Sequence, residues 1–184
     1  MGRFITAKSR IEQVDEPGYW RTIDNELYLD DNGDLTLTPR YFWSDGYTYP
    51  GIIMAILGDK HKLDVRCAHG HDLFCRFHEK VKVTLSLTVL KQKGYLRTHY
   101  DKDGNPMVIC EDIPLEYLEV EKVSKTWTDN CFKRMMLSCN IPRRQVNIIR
   151  FGVFFNLNWW LKTGKKSILE YDIYKDDIGL VNGV

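Results

Sequence analysis

The stretch Cys67-Ala68-His69-Gly70-His71-Asp72-Leu73-Phe74-Cys75 decides how this chain is read. From Asp64 to about Lys80 the pattern is helical, and Val65, Cys67, Ala68, His71, Cys75 and His78 fall largely on one stripe. His71 is therefore expected to point inward, with the carboxylate of Asp72 beside it. Such a buried pair is costly unless its groups are satisfied or used. A neutral imidazole next to a carboxylate can act as a general base beside a metal ligand. Asp129 opens a second predicted helix, Thr128-Asp129-Asn130-Cys131-Phe132, and is placed to hold the His71 ring.

Around these two helices the pattern changes several times. The first fifty residues have strand and turn character. Apolar residues alternate in Glu26-Leu27-Tyr28-Leu29 and in Leu35-Thr36-Leu37-Thr38, and Asn32-Gly33 between them suits a tight hairpin turn that Pro39 closes. Gly51 to Leu57 is apolar and short, and reads as a helix. The run Val81 to Leu90 alternates like a strand, and Tyr95 to Tyr100 with Met107 to Cys110 predicts a hairpin across Asp101-Lys102-Asp103-Gly104-Asn105-Pro106. A helix over Ser124 to Cys139 stops at Asn140, and another starts near Pro142, whose fixed φ suits a first turn. It carries Val146, Ile149, Phe151, Val153, Phe154, Leu157 and Trp160, with Phe151, Phe154 and Phe155 expected on its inner face. From Gly164 the tail reads as an irregular or strand-like extension.

The expected fold class is α+β in a single domain over residues 1–184. It comprises a strand-rich part at 1–50 with its β-hairpin, a helical core at 51–80 and 124–162, an inserted β arm at 81–123 and a C-terminal extension at 163–184. In the core the His-Asp helix packs against the Asp-bearing helix. A chain of 184 residues with 43% hydrophobic content can bury one substantial core. With 26 basic and 25 acidic residues it generates no global field that favours nucleic acid or an anionic membrane. Met1 to Lys8 lacks the apolar run of a signal peptide, and no stretch has the length needed to span a bilayer, so a soluble protein made inside the cell is expected. The five cysteines at 67, 75, 110, 131 and 139 are an odd number, which favours reduced thiols.

Taken in order, several motifs resemble the phage and prophage family called domain of unknown function 1353. These are Asp45-Gly46-Tyr47-Thr48-Tyr49-Pro50, His71-Asp72-Leu73-Phe74, Asp129-Asn130-Cys131-Phe132, and Ile141-Pro142 leading to Gly152. The resemblance covers roughly residues 35 to 160 and implies a viral setting, with the host cytoplasm or the virion as location. Residues 81 to 123 are longer than the family's usual connection, so the arm is expected to serve partner binding. More distantly, the two helices resemble the phospholipase A2 core. That resemblance implies that His71 activates water, Asp129 orients its ring, and Asp72 ligates calcium. The nearest further ligand is Asp45, in Ser44-Asp45-Gly46-Tyr47; calcium usually takes six or more oxygens.

Zinc is the second metal to weigh, because Cys67, His71, Cys75 and His78 lie at helical spacings on one face. Four ligands on one straight helix cannot surround a zinc, so Cys131 or Cys139 would have to contribute. Small thiols filling a helix interface are the plainer reading. Asp101-Lys102-Asp103-Gly104-Asn105 lacks the glycine spacing of a calcium loop and reads as a solvated turn.

Two function classes follow. The favoured one is a bacteriophage accessory or structural protein that binds a host or virion protein. It would use Trp159 and Trp160 at the end of the closing helix and Tyr95 and His99 in the arm. The alternative is a calcium-dependent, phospholipase A2-like hydrolase of a lipid or ester substrate, working through His71, Asp72 and Asp129 with the Asp45 turn nearby. An enzyme needs His71 open to a cleft.

Overall fold

The Asn32-Gly33 turn forms as its residues dictate. Gly33 takes φ 89°, in the left-handed region that favours glycine. Asp30 Oδ1 accepts from the amides of Asn32 (2.8 Å) and Asp34 (3.0 Å), locking the turn. The flanking strands pair antiparallel with Leu27 opposite Leu37 and Leu29 opposite Leu35. The computed structural model of the chain describes residues 2–8, 10–13, 19–44, 64–154 and 157–174. The helix expected at Gly51 to Leu57 lies outside them.

The described elements are β1 (Arg3–Phe4), β2 (Ile11–Gln13), β3 (Trp20–Thr22), β4 (Glu26–Leu29), β5 (Leu35–Thr38), β6 (Trp43–Ser44), α1 (Val65–Phe77), β7 (Glu79–Val83) and α2 (Leu87–Gln92). They continue as β8 (Leu96–Tyr100), β9 (Pro106–Cys110), β10 (Leu118–Lys122), α3 (Lys125–Ser138), α4 (Arg143–Phe154) and α5 (Leu157–Lys162). The chain is an α+β protein. Its main sheet has the order β1-β4-β5-β7-β10; β2, β3 and β6 form a second sheet, and β8 with β9 a two-stranded ribbon.

The main sheet sets the positions of the two central helices. Asp64 caps the start of α1, accepting from the amide of Arg66, and α1 ends where His78 turns left-handed at φ 54°. The chain enters β7 at the next residue. β10 in turn runs straight into Ser124, which caps α3 by accepting from the Trp127 amide at 3.2 Å. Because Glu79 pairs with Lys122, the end of α1 lies beside the start of α3, and the Val123 amide donates to the His78 carbonyl at 2.9 Å. Counting back to His71 and forward to Asp129 at 1.5 Å per residue gives rises of about 10 Å and about 8 Å. The two side chains therefore meet at nearly one level.

Alternation gives the β4–β5 hairpin an apolar face, Leu27, Leu29, Leu35 and Leu37, and a polar one, Glu26, Tyr28, Thr36 and Thr38. The helices pack on the polar face. His69 of α1 contacts Glu26, and a Cβ at Gly70 would stand 3.7 Å from Thr38 Oγ1 and 3.0 Å from Met135 Cε of α3. The apolar face is buried as well, with Leu27, Leu35, Leu37, Val81 and Val83 in the core at about 2 kcal/mol each.

Two segments differ from their expected form. The strand pattern of residues 81 to 90 ends at Val83, because Ser86 caps a new helix, accepting from the Val89 amide at 3.4 Å, and Leu90 is buried from that helix. The two ends of the 81–123 segment, β7 and β10, belong to the main sheet, and only α2 and the ribbon stand outside it. The Asp101 turn is a solvated hairpin turn, as expected, with the Asp101 side chain accepting from the amides of Asp103 and Asn105. The tail packs onto the body. Glu79 Oε2 accepts from Ser167 Oγ and the Ile168 amide, and Tyr174 OH donates to the Ile113 carbonyl. Phe151, expected inside, is 66% exposed. It sits two residues, about 200°, around the helix from buried Ile149.

Candidate functional site

His71 lies between two carboxylates on two helices. Its Nε2 is 3.7 Å from Asp129 Oδ1 and its Nδ1 is 3.8 Å from Asp72 Oδ1. These are ion-pair separations, longer than an N–H···O hydrogen bond. The ring stacks on Phe132, one turn beyond Asp129 on α3, with centroids 4.3 Å apart. Cys75, one turn beyond His71 on α1, brings Sγ to 3.4 Å from Nε2. The side chains of His71, Asp72 and Asp129 keep 8, 9 and 8% of their surface, so solvent reaches the edge of the cluster.

Each carboxylate is held by a further group. The Ser44 hydroxyl, at the end of β6, donates to Asp72 Oδ2. Lys125, one turn before Asp129, donates to Asp129 Oδ2 at 2.7 Å and to the Val153 carbonyl at 3.4 Å. Asp129 Oδ1 has no hydrogen-bond partner and faces the imidazole. Burial alone would push the His71 pKa down. The charge of Cys75 and the contacts with Asp129, Asp72 and Cys75 outweigh it and hold His71 well above the usual imidazole range. For Asp129 burial works upward, but His71 and Lys125 keep its carboxyl below the usual range.

A second buried pair adjoins the first. His69 Nδ1 is 2.9 Å from Glu26 Oε1, and both side chains are 1% exposed. Burial lowers the His69 pKa, and Glu26, with smaller contributions from Asp72 and Asp64, more than reverses this. Glu26 Oε2 has no hydrogen-bond partner.

The structure thus brings His71, Asp72 and Asp129 together. It adds Cys75, weighed from the sequence only as a zinc donor, together with Ser44 and Lys125, and it sets Glu26 against the neighbouring His69. Three of them left a signal: Cys75 and Lys125 stand one helical turn from His71 and Asp129, and Ser44 precedes the expected Asp45 turn. Glu26 left only its place as the acid on the polar side of an alternating strand.

The other expected site residues lie apart. Asp45 is outside the described residues. Tyr95 is half-buried with its ring 6.4 Å from that of Tyr117, whereas His99 is exposed on the ribbon. The Trp160 ring stacks flat on His78 at 3.8 Å, and its carbonyl lies 3.0 Å from His78 Nε2; nothing is described of the Trp159 side chain.

The donors weighed for zinc do not converge. Cys67 Sγ is 3.5 Å from Cys139 Sγ, Cys75 faces His71, and His78 is engaged by Trp160 and Thr163. All five cysteines are free thiols. Among the described residues no three His, Cys, Asp or Glu side chains form a metal-holding group. For calcium, Asp72 and the Ser44 hydroxyl supply too few oxygens, so the described residues do not by themselves make that site. No helix among them is long and apolar enough to cross a membrane.

No family model matches the chain, and no curated protein or solved structure matches it either. Chemically, the cluster offers an imidazole that can hold or move a proton, two carboxylates that stabilise its charged form, and a thiol in contact with it.

Proposed function

We propose that this chain is a phage-encoded hydrolase of an ester or lipid substrate, similar in plan to phospholipase A2, with the host cytoplasm as its setting. The observation that supports it is the approach of Asp129 Oδ1 to His71 Nε2 at 3.7 Å, between residues 58 positions apart. Resemblance to the phospholipase core implies this contact, and chain proximity does not produce it. His71 holds a proton at Nε2 and passes it to or from the reacting group, and Asp129 orients and stabilises the charged ring. Calcium at Asp72 would need further oxygen ligands beyond the described residues, and no step of this reading runs through it. The test is hydrolysis of short-chain phospholipids and aryl esters by the full chain, with and without calcium. Turnover that falls at least ~100-fold in His71→Gln and Asp129→Asn is expected. Turnover unchanged by both substitutions in folded protein sinks the reading.

A specific observation favours a second reading, a phage accessory or structural protein that binds a host or virion protein. Four successive residues of β8, Arg97, Thr98, His99 and Tyr100, are exposed, so both faces of that strand are solvated. A two-stranded ribbon is marginal alone, and an open strand edge is a template for an added strand. A host or virion protein retained by the wild-type chain and lost with a His99→Ser, Tyr100→Ser double variant is the expected result. Retention by that variant removes the ribbon from the binding surface.

A further inference from the structure

We propose that Cys75 is a nucleophile that takes an acyl group from an activated ester or thioester, with His71 as its proton partner. The inference goes beyond the hydrolase reading, in which water is the nucleophile, and needs no metal.

The geometry carries it. Cys75 Sγ stands 3.4 Å from His71 Nε2 and 4.0 Å from Nδ1, within reach of sulfur–nitrogen hydrogen bonding. Being four residues apart on α1, the two side chains share one helix face. Asp72 Oδ1 lies 3.8 Å away on the Nδ1 side and favours the charged ring, while the thiol and Asp129 Oδ1 share the Nε2 side. This is nucleophile, base and orienting group in sequence, the arrangement that activates cysteine in acyl transfer. An independent observation points to the same place. Asp129 is 6% exposed, and its Oδ1, with no hydrogen-bond partner, faces Nε2 at 3.7 Å, where a charged imidazolium would need it.

The remaining cysteines lack this setting. Burial pushes the Cys110 thiol up to about 12 and the Cys131 thiol up to about 11. Cys67 and Cys139 face each other at 3.5 Å.

The step balances without an outside oxidant. Sγ, its proton already held on His71 Nε2, forms a bond to the acyl carbon. The bond from that carbon to the leaving oxygen or sulfur breaks, and His71 gives the proton to the departing alkoxide or thiolate, which leaves the ring neutral. Water then attacks the thioester carbonyl, gives its proton to His71, and the thiolate is reformed as the acid leaves. Cys75 is 3% exposed, which restricts the donor to a small acyl group.

The test uses the full chain with p-nitrophenyl acetate, reading p-nitrophenolate release and locating acetyl groups by peptide mass mapping. Acetylation at Cys75 before any other cysteine is expected, slowed at least ~100-fold in His71→Gln. The comparison among the five cysteines is made within wild-type protein, so it stands even if the variant folds poorly. Acetylation first at another cysteine, or at Cys75 with an unchanged rate in folded His71→Gln, overturns the proposal. Steady turnover that survives Cys75→Ser without acylation overturns it while leaving the water-activating hydrolase in place. Absence of both acylation and turnover overturns both.

Discussion

His71 Nε2 faces Asp129 Oδ1 at 3.7 Å because Glu79 and Lys122 pair across β7 and β10. The strands fix where one helix ends and the next begins, and a helical rise of 1.5 Å per residue does the rest. The site is thus a consequence of strand register. A slip of one residue would turn every side chain of the moving strand to the opposite face and shift the two helices along each other.

Asp129→Asn keeps the shape of the side chain but removes the charge shared by His71 and Lys125. A loss of about 2 kcal/mol in stability is expected, by analogy with losing hydrogen bonds to charged groups. Urea unfolding measures it. Lys125→Met should cost less, because Lys125 binds only the outer oxygen and Asp129 keeps its imidazole neighbour.

The two buried histidines give stability a pH dependence of known sign. His69 and His71 both titrate above their unfolded value of 6.5. Their contribution is complete below that pH and is lost as pH rises through the folded values. The melting temperature should fall as pH rises above 6.5, and His69→Gln should flatten the fall. His69→Gln should also cost about 3 kcal/mol at pH 6, because it leaves Glu26 buried without its cation. At the acid end Asp24, Asp34, Asp64 and Asp129 titrate below 3.8, so their contribution is lost as pH drops through that range. A melting temperature that rises between pH 6.5 and 9 contradicts the His69 and His71 assignments.

Gly164 has φ 71°, and a Cβ there would stand 2.2 Å from His78 Nδ1. Both the backbone and the space exclude a side chain. Gly164→Ala should therefore displace His78 from Trp160 and destabilise the fold by about 2 kcal/mol or more. Thermal unfolding with tryptophan fluorescence reports both effects.

The ribbon strand carries its exposed residues at little energetic consequence to the fold. His99→Ser with Tyr100→Ser should change stability by no more than about 0.5 kcal/mol. Any loss of partner binding in that variant would then belong to the surface. A large loss of stability would show instead that the ribbon packs on the body.

What the sequence disclosed follows from how local each determinant is. The Asn32-Gly33 hairpin, the helix from Asp64 and the stop at Asn140 rest on caps, turns and periodicity. These act within a few residues and can be read directly. Ser86 was harder, because Leu85-Ser86-Leu87-Thr88 alternates like a strand while also fitting a helix cap. The pairing of β7 with β5 is long-range and has no local signal, which is why the whole 81–123 segment read as an arm. The polar face of the β4–β5 hairpin was hidden for a related reason. Alternation locates two faces but does not tell which one receives the helices, so the His69–Glu26 pair could not be foreseen.

His71 is held as a charged centre between Asp72 and Asp129. Nitrogen-15 NMR titration of the imidazole in wild type and in Asp129→Asn tests this assignment. His71 should stay protonated well above pH 6.5 in the wild type, and Asp129→Asn should bring its titration down. A His71 that titrates at or below 6.5 in the wild type, or that is indifferent to Asp129→Asn, contradicts it.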